Sequence, residues 1–250
     1  MNLENTLATR VNKTIYRDGN KCIKKFNKDF SKADVLNEAL NIARVEETNL
    51  NVPSLLEVTM IDDCWVIVTE FIEGKTLTQI IEENPDNVPE QIDLLIDLQL
   101  QVHAQKCPLL TKLRDKMFRK ISQTEYDPVT KYELQTYLDG MPRHNKVCHG
   151  DFRPSNILIT PEGKPYIIDW SHVTQGNASA DAARSYLLFL LGQHKDYSEY
   201  YINQYCKKTD VPRSYVDRWV RIVAASQAVG NTNKDELEFL SRMVHVIDFT

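Results

Sequence analysis

The chain has 250 residues, 42% of them apolar and 26% charged, with a formal net charge of −5. At about 150 residues per domain this makes one large domain or two small ones, with core enough to fold without disulfides or metals. Mild acidity spread along the chain excludes an electrostatic nucleic-acid binder, and no apolar run approaches the roughly 20 residues that cross a bilayer, so neither nucleic acid nor membrane is an expected partner.

Residues 1–10 are polar, carry Glu4 and hold no apolar stretch of signal-peptide length, which points to a cytoplasmic protein. Residues 13–16 and 21–26 read as strands around Arg17-Asp18-Gly19-Asn20, because Asp-Gly is a strong hairpin signal. Asp29 or Ser31 can cap a helix running to about Thr48, with Val35, Leu36, Ala39, Leu40 and Ala43 at helical spacing. Residues 52–58 and 65–71 read as two more strands, joined by a turn at Asp62-Asp63. The first 72 residues are therefore expected to form a small antiparallel sheet with one helix.

Composition changes after Gly74. Residues 76–83 read as a short helix ended by Pro85, and 90–105 as a long one whose stripe is Ile92, Leu95, Ile96, Leu98 and Val102. Helices are expected at about 111–122 and 129–139, the latter closed by Gly140. Residues 147–151, 157–160 and 166–169 are strand-like pieces, with a turn at Pro161-Glu162-Gly163-Lys164. Residues 180–191, 197–207, 213–229 and 234–246 read as helices. The expected organisation is two lobes, 1–72 and 73–250, the second mainly helical with an embedded hairpin.

The five cysteines (22, 64, 107, 148, 206) are odd in number and show no Cys-x-x-Cys, so they read as reduced thiols rather than a disulfide framework or a zinc site. None of the eight glycines stands in Gly-x-Gly spacing and no pair is five apart. That excludes a dinucleotide fingerprint, a kinase glycine loop and a Walker A loop.

The informative segment is His149-Gly150-Asp151-Phe152-Arg153-Pro154-Ser155-Asn156, followed thirteen residues after Asn156 by the end of Ile167-Ile168-Asp169. Asp151, Asn156 and Asp169 are expected to meet. Carboxylate and amide oxygens are hard ligands suited to Mg²⁺, which also takes phosphate and water. One carboxylate for a substrate hydroxyl and another for metal is the division of labour that phosphoryl transfer needs.

The pattern H-G-D-x-x-x-x-N followed by I-I-D-W resembles the aminoglycoside phosphotransferase and choline kinase family, small-molecule kinases with the protein-kinase fold. The resemblance covers most of the chain. It implies an α+β, protein-kinase-like bilobal fold, ATP and Mg²⁺ as cofactors, and a small-molecule hydroxyl as acceptor, on an aminoglycoside-like compound, an amino alcohol or a sugar. Asp151 would orient the acceptor hydroxyl and take its proton. Asn156 and Asp169 would bind Mg²⁺. Arg153 occupies the place where serine/threonine kinases carry a lysine near the transferred phosphate. Lys24 matches the strand lysine that holds the α- and β-phosphates, and Glu38 on the following helix would pair with it. Alternation puts Cys22, Lys24 and Phe26 on one face of the strand and Lys25 on the other. Backbone groups of Glu70 and Ile72 would bind adenine, the glycine-free loop around 8–12 would cover the phosphates, and Asp181 would brace the catalytic loop.

His149 is read as structural, and His103, His144, His172, His194 and His245 carry no assigned chemistry. The alternative function is a catalytically silent nucleotide-binding regulator or scaffold of the same fold. A protein kinase is disfavoured: Asp-Trp replaces Asp-Phe-Gly, no Ala-Pro-Glu segment is present, and only twelve residues lead from Asp169 to Asp181. Asp181, Glu199, Asp217, Asp235 and Glu236 are the acidic residues in the region where a polycationic acceptor would bind.

Overall fold

Strands β1 (Thr6–Thr9), β2 (Lys13–Asp18), β3 (Lys21–Phe26), β4 (Leu55–Ile61) and β5 (Cys64–Glu70) form an antiparallel sheet in the order β1-β2-β3-β5-β4 in the computed structural model, which describes residues 1–245. Gly19 at φ 59° turns β2 into β3, and Asp62 and Asp63 at φ 51° and 61° turn β4 into β5. These residue types tolerate the left-handed backbone that tight hairpins require. On one face Ile23 packs with Val66 and Val68. The other face carries Lys24 to α1 (Lys32–Glu46), where it meets Glu38.

Ser31, not Asp29, caps α1: its hydroxyl accepts the Asp34 N–H at 3.4 Å. The buried stripe runs through Val35, Glu38, Ala39, Ile42 and Val45. Leu36 and Leu40, expected in that stripe, are 43% and 48% exposed, because they share the adjacent row of the helix. Strand β1 is a further departure. Its four residues lie at the sheet edge with little burial, so the sequence carries almost no apolar signal for it.

The chain divides into two compact units, Met1–Glu83 with Pro154–His172, and Asn84–Arg153 with Val173 onward. This differs from the expected boundary after residue 72. Strand β6 (Lys75–Thr76) pairs with β8 (Ile157–Ile159), which pairs with β9 (Pro165–Ile167). The Ile167 N–H also reaches Asn51 O at 3.0 Å. Hydrogen bonding thus ties the hairpin leading to Asp169 into the first unit. Gly74 permits this pairing, since a Cβ there would lie 2.5 Å from Ile159 O. Helix α2 (Leu77–Glu83) completes the unit.

The second unit is helical: α3 (Val88–Ala104), α4 (Leu113–Ser122), α5 (Pro128–Asp139), α6 (Ala178–Leu191), α7 (Lys195–Thr209), α8 (Arg213–Ala228) and α9 (Lys234–His245). Val246, the end of the expected last helix, lies outside the described residues. The stripe of α3 is buried as its periodicity predicts. Strand β7 (Lys146–Cys148) pairs antiparallel with β10 (Thr174–Gly176), a strand too short and polar to be visible in the sequence. The five cysteines are free thiols. Among the described residues no helix is long and apolar enough to cross a membrane.

Candidate active site

In the first unit, strand alternation sends neighbouring lysines to opposite faces of β3. Lys24 donates to the buried Glu38 carboxylate and stands 3.4 Å from Asp169 Oδ1. Lys25 reaches exposed Asp62 at 2.9 Å instead. Burial pushes the Lys24 ammonium down, but the carboxylates of Asp169 and Glu38 outweigh it, so its pKa stands above the ordinary lysine value. Lys13, the first residue of β2, lies 3.5 Å from Asp169 Oδ2. Burial, then the Lys24 charge, lowers its pKa.

Strand β9 ends at Ile167, two residues earlier than expected, and Asp169 takes a left-handed backbone at φ 62°. The turn is pinned on several sides. Ile168 N–H donates to Asn156 O at 3.0 Å, Ser171 Oγ donates to Asp169 Oδ1 at 3.1 Å, and buried Trp170 donates its indole N–H to Ile167 O at 3.0 Å. Asn156 ends the 3-10 turn Pro154–Asn156 and is 6% exposed. The backbone bond therefore couples Asn156 to the residue just before Asp169. Their amide and carboxylate oxygens fit Mg²⁺, which needs few protein ligands because it keeps waters and takes phosphate oxygens. No group of three or more His, Cys, Asp or Glu that could hold a metal occurs among the described residues.

Glu70 is the last residue of β5, and its N–H already donates to Ser54 O at 2.8 Å. A base contact by Glu70 would therefore fall to its carbonyl oxygen. Ile72, two residues on, is buried. Residues 8–12 form the end of β1 and the turn into β2, closed by Arg10 N–H on Lys13 O at 2.8 Å.

In the second unit, β7 stops at Cys148 and the chain turns through His149, Gly150 and Asp151. Gly150 has φ 80°. Asp181, in the first turn of α6, holds this turn. Its carboxylate accepts the N–H of His149 at 3.1 Å and of Gly150 at 2.7 Å, and the Gln99 side-chain amide at 3.2 Å. His103 Nε2 lies 3.0 Å away. Burial alone would raise the Asp181 pKa, but the bond and charge of His103 lead the contributions that lower it. His149 is buried, and its Nδ1 accepts the Asp151 N–H at 3.2 Å, as a structural histidine would.

Asp151 is flanked by two guanidiniums, Arg153 Nε at 3.4 Å and Arg184 Nη2 at 3.9 Å. Arg184 also donates to Gly150 O at 3.3 Å and to the Gln227 side chain. The sequence reading missed Arg184 and His103. Their signals were present but weak. Arg184 follows Asp181 by three residues on α6, and His103 follows Gln99 by four on an otherwise apolar stripe of α3.

Of the expected site residues, Lys24, Glu38 and Asp169 are in direct contact, with Asn156 tied beside Asp169. Asp151 and Arg153 are paired in the second unit. Glu70 and Ile72 lie at and just beyond the end of β5.

Residues 10–215 match the model of the phosphotransferase enzyme family. Over 168 residues the chain is 24% identical to a probable serine/threonine-protein kinase of Clostridium perfringens, a match covering 67% of this chain and 18% of that protein. The chain thus spans under a fifth of the length of that curated relative. In three dimensions it is similar to a thermostable mutant of aminoglycoside phosphotransferase APH(4)-Ia in ternary complex with AMP-PNP and hygromycin B, at TM-score 0.72 and 14% identity over 96% of this chain and 90% of that one. It is also similar to a choline/ethanolamine kinase family protein from Mesorhizobium loti, at TM-score 0.59 and 15% identity over 94% and 84% of the two chains. These likenesses show the protein-kinase-like fold.

Proposed function

The chain belongs to the phosphotransferase enzyme family, and on that premise we propose that it moves the γ-phosphate of ATP to a hydroxyl of a small molecule. The observation that carries this reading is the ion network of Lys24, Glu38 and Asp169. It joins three residues far apart in sequence, each of the type and position that nucleotide phosphates and their metal require.

Lys24, fixed by Glu38, holds the α- and β-phosphates. The Glu70 carbonyl and the Ile72 backbone read the adenine edge. Asn156 and Asp169 would hold Mg²⁺, which supplies neutralisation of charge on the phosphate oxygens. Asp151 orients the acceptor hydroxyl and accepts its proton as the acceptor O–P bond forms and the bond from the γ-phosphorus to ADP breaks. Arg153 steadies the charge that develops on the transferred group. The rigid His149–Asp151 turn supports this role, because Asp181 holds it through two backbone amides. The similar aminoglycoside phosphotransferase binds AMP-PNP and hygromycin B, which supports a nucleotide and a small-molecule substrate here.

The match to a probable serine/threonine-protein kinase raises a polypeptide acceptor as the competing reading. The segment after Asp169 weighs against it. It holds the 3-10 turn Trp170–His172, then β10, then Asn177 capping α6 through the Ser179 N–H at 3.0 Å. That leaves no length for an activation loop and peptide platform.

The test is ADP release by purified protein with ATP and Mg²⁺ over a panel of sugars, sugar phosphates, hydroxy acids, amino alcohols and aminoglycosides, with generic polypeptide substrates alongside. One ADP for each phosphorylated small molecule, abolished by EDTA, is expected. Phosphate found only on polypeptide, or none on any acceptor, would overturn the reading.

A further inference from the structure

Where α4 begins, the second unit holds a cleft of about 230 Å³, walled by the 138–145 segment, the end of β10 and α8. None of the residues read above as catalytic or nucleotide-binding lines it. Part of the lining is finished. Gln175 donates its amide N–H groups to Pro108 O at 2.6 Å and Leu110 O at 2.7 Å. Asn177 donates to Pro142 O at 3.2 Å and to the Tyr215 hydroxyl at 2.7 Å. Two other donors of the same lining are not satisfied. Trp219, on α8, is 3% exposed, and its indole Nε1 is buried with no hydrogen-bond partner among the described residues. Arg114, in the first turn of α4, uses Nη2 on Asp139, while its Nη1 is buried and equally without a hydrogen-bond partner.

Indole and guanidinium nitrogens only donate. A buried donor without an acceptor is costly, so two on one lining mark a place for a ligand that brings acceptors. The helix end points to the charge of that ligand. Helix α4 has ten residues, and its N-cap, Lys112, gives the first turn no side-chain acceptor. An ammonium cannot cap a helix, so the positive end of the helix dipole is left to a bound anion. Lys112, Arg143 and His144 stand at the exposed rim, and Asp115 is the one carboxylate of the lining.

We propose that this cleft binds a small oxyanion, a phosphate or a carboxylate, on Trp219 Nε1, Arg114 Nη1 and the first turn of α4. Its volume lies below the range of drug-sized pockets, which suits inorganic phosphate or a short dicarboxylate. The site is independent of the phosphotransferase reading. Its link to that chemistry runs along the chain: Asn177 ends one wall, and Asp181, which holds the 149–151 turn, follows four residues later.

The test is calorimetric titration of the full chain with sodium phosphate and, separately, sodium malonate. Ionic strength is held constant with chloride, and each titration is run with and without saturating AMP-PNP and Mg²⁺. Tryptophan fluorescence is followed in parallel. Trp219→Phe keeps a ring and removes the N–H, and Arg114→Gln removes the guanidinium. The expected result is one saturable site per chain, unaffected by AMP-PNP. Its affinity should fall about tenfold or more in each variant, the loss expected for a hydrogen bond to a charged group, while ATP affinity stays unchanged. Binding should alter the fluorescence of wild type and not that of Trp219→Phe. Asp139→Asn breaks the same ion pair but keeps Nη1, and it should bind the anion as wild type does. A response to phosphate alone identifies a phosphorylated ligand, and to malonate alone a carboxylic acid; either upholds the site. Should Trp219→Phe fail to fold, Arg114→Gln beside Asp139→Asn decides. Absence of saturable binding, displacement by AMP-PNP, unchanged affinity in Arg114→Gln, or an equal loss in Asp139→Asn would overturn the proposal.

Discussion

The two units handle charge differently. In the first, Lys13 and Lys24 meet Glu38 and Asp169, so cations and carboxylates balance within one network. In the second, Asp151 stands beside Arg153 and Arg184, while Asp181 is held by two backbone amides, Gln99 and His103. A balanced network is complete before any ligand arrives. The comparison teaches that carboxylates of the same type serve an ion network in one unit and brace a backbone turn in the other.

Breaking the balanced network should have the largest effect on folding. Lys24→Met leaves the Glu38 carboxylate buried without its ammonium, and loss of one partner of a buried pair costs about 3–5 kcal/mol. Urea denaturation should show that loss, together with failure to bind ATP. Next comes Asp181→Asn, which removes a buried charged acceptor from the 149–151 turn. A loss of about 1.5–3 kcal/mol is expected. Because the folded Asp181 pKa is lowered, wild type loses this stability as pH falls through the acidic range, and the variant should show a flatter acid limb in the same denaturation series.

Two lysines of α4 should respond to pH instead. Lys116 and Lys120 fall to about 7 and about 8 from an ordinary 10.5. The unfolded chain therefore holds protons that the folded one has released above neutrality, so the cost that burying these two lysines imposes on folding is relieved as pH rises through that range. Urea denaturation between pH 7 and 9 should show a rise in stability for wild type that Lys116→Gln, Lys120→Gln lacks. The smallest effect belongs to the neighbour of Lys24. Asp62→Asn releases Lys25 from an exposed partner, and the melting temperature should not change measurably. Two adjacent lysines of one strand would thus separate a functional ion pair from a solvated one.

Much of the first arrangement could be read from the sequence. Strand alternation put Lys24 and Lys25 on opposite faces, and the family resemblance picked out Lys24 and Asp169, which the structure brings together. Local pattern also revealed the α3 stripe and the Asp-Gly hairpin. What failed was non-local. Strands β1 and β10 have four and three residues, and their partners rather than their composition make them strands. The unit boundary was misplaced because β6 pairs with a strand about 80 residues later. Leu36 and Leu40 fit helical spacing, but packing against the sheet selected the neighbouring row. Lys120 and Arg184 look like ordinary helix-surface charges until α8 joins α4 and α6.

The most direct test follows phosphorus. Wild type and Asp151→Asn are incubated with ATP, Mg²⁺ and the best acceptor from the panel, and ³¹P NMR tracks product while calorimetry measures ATP affinity. Wild type should convert ATP to ADP and a phosphate monoester in equal amounts. The variant should bind ATP as tightly and form product about 10²–10⁴-fold more slowly, the range expected for loss of a general base. Equal rates of monoester formation in the two proteins would contradict the account.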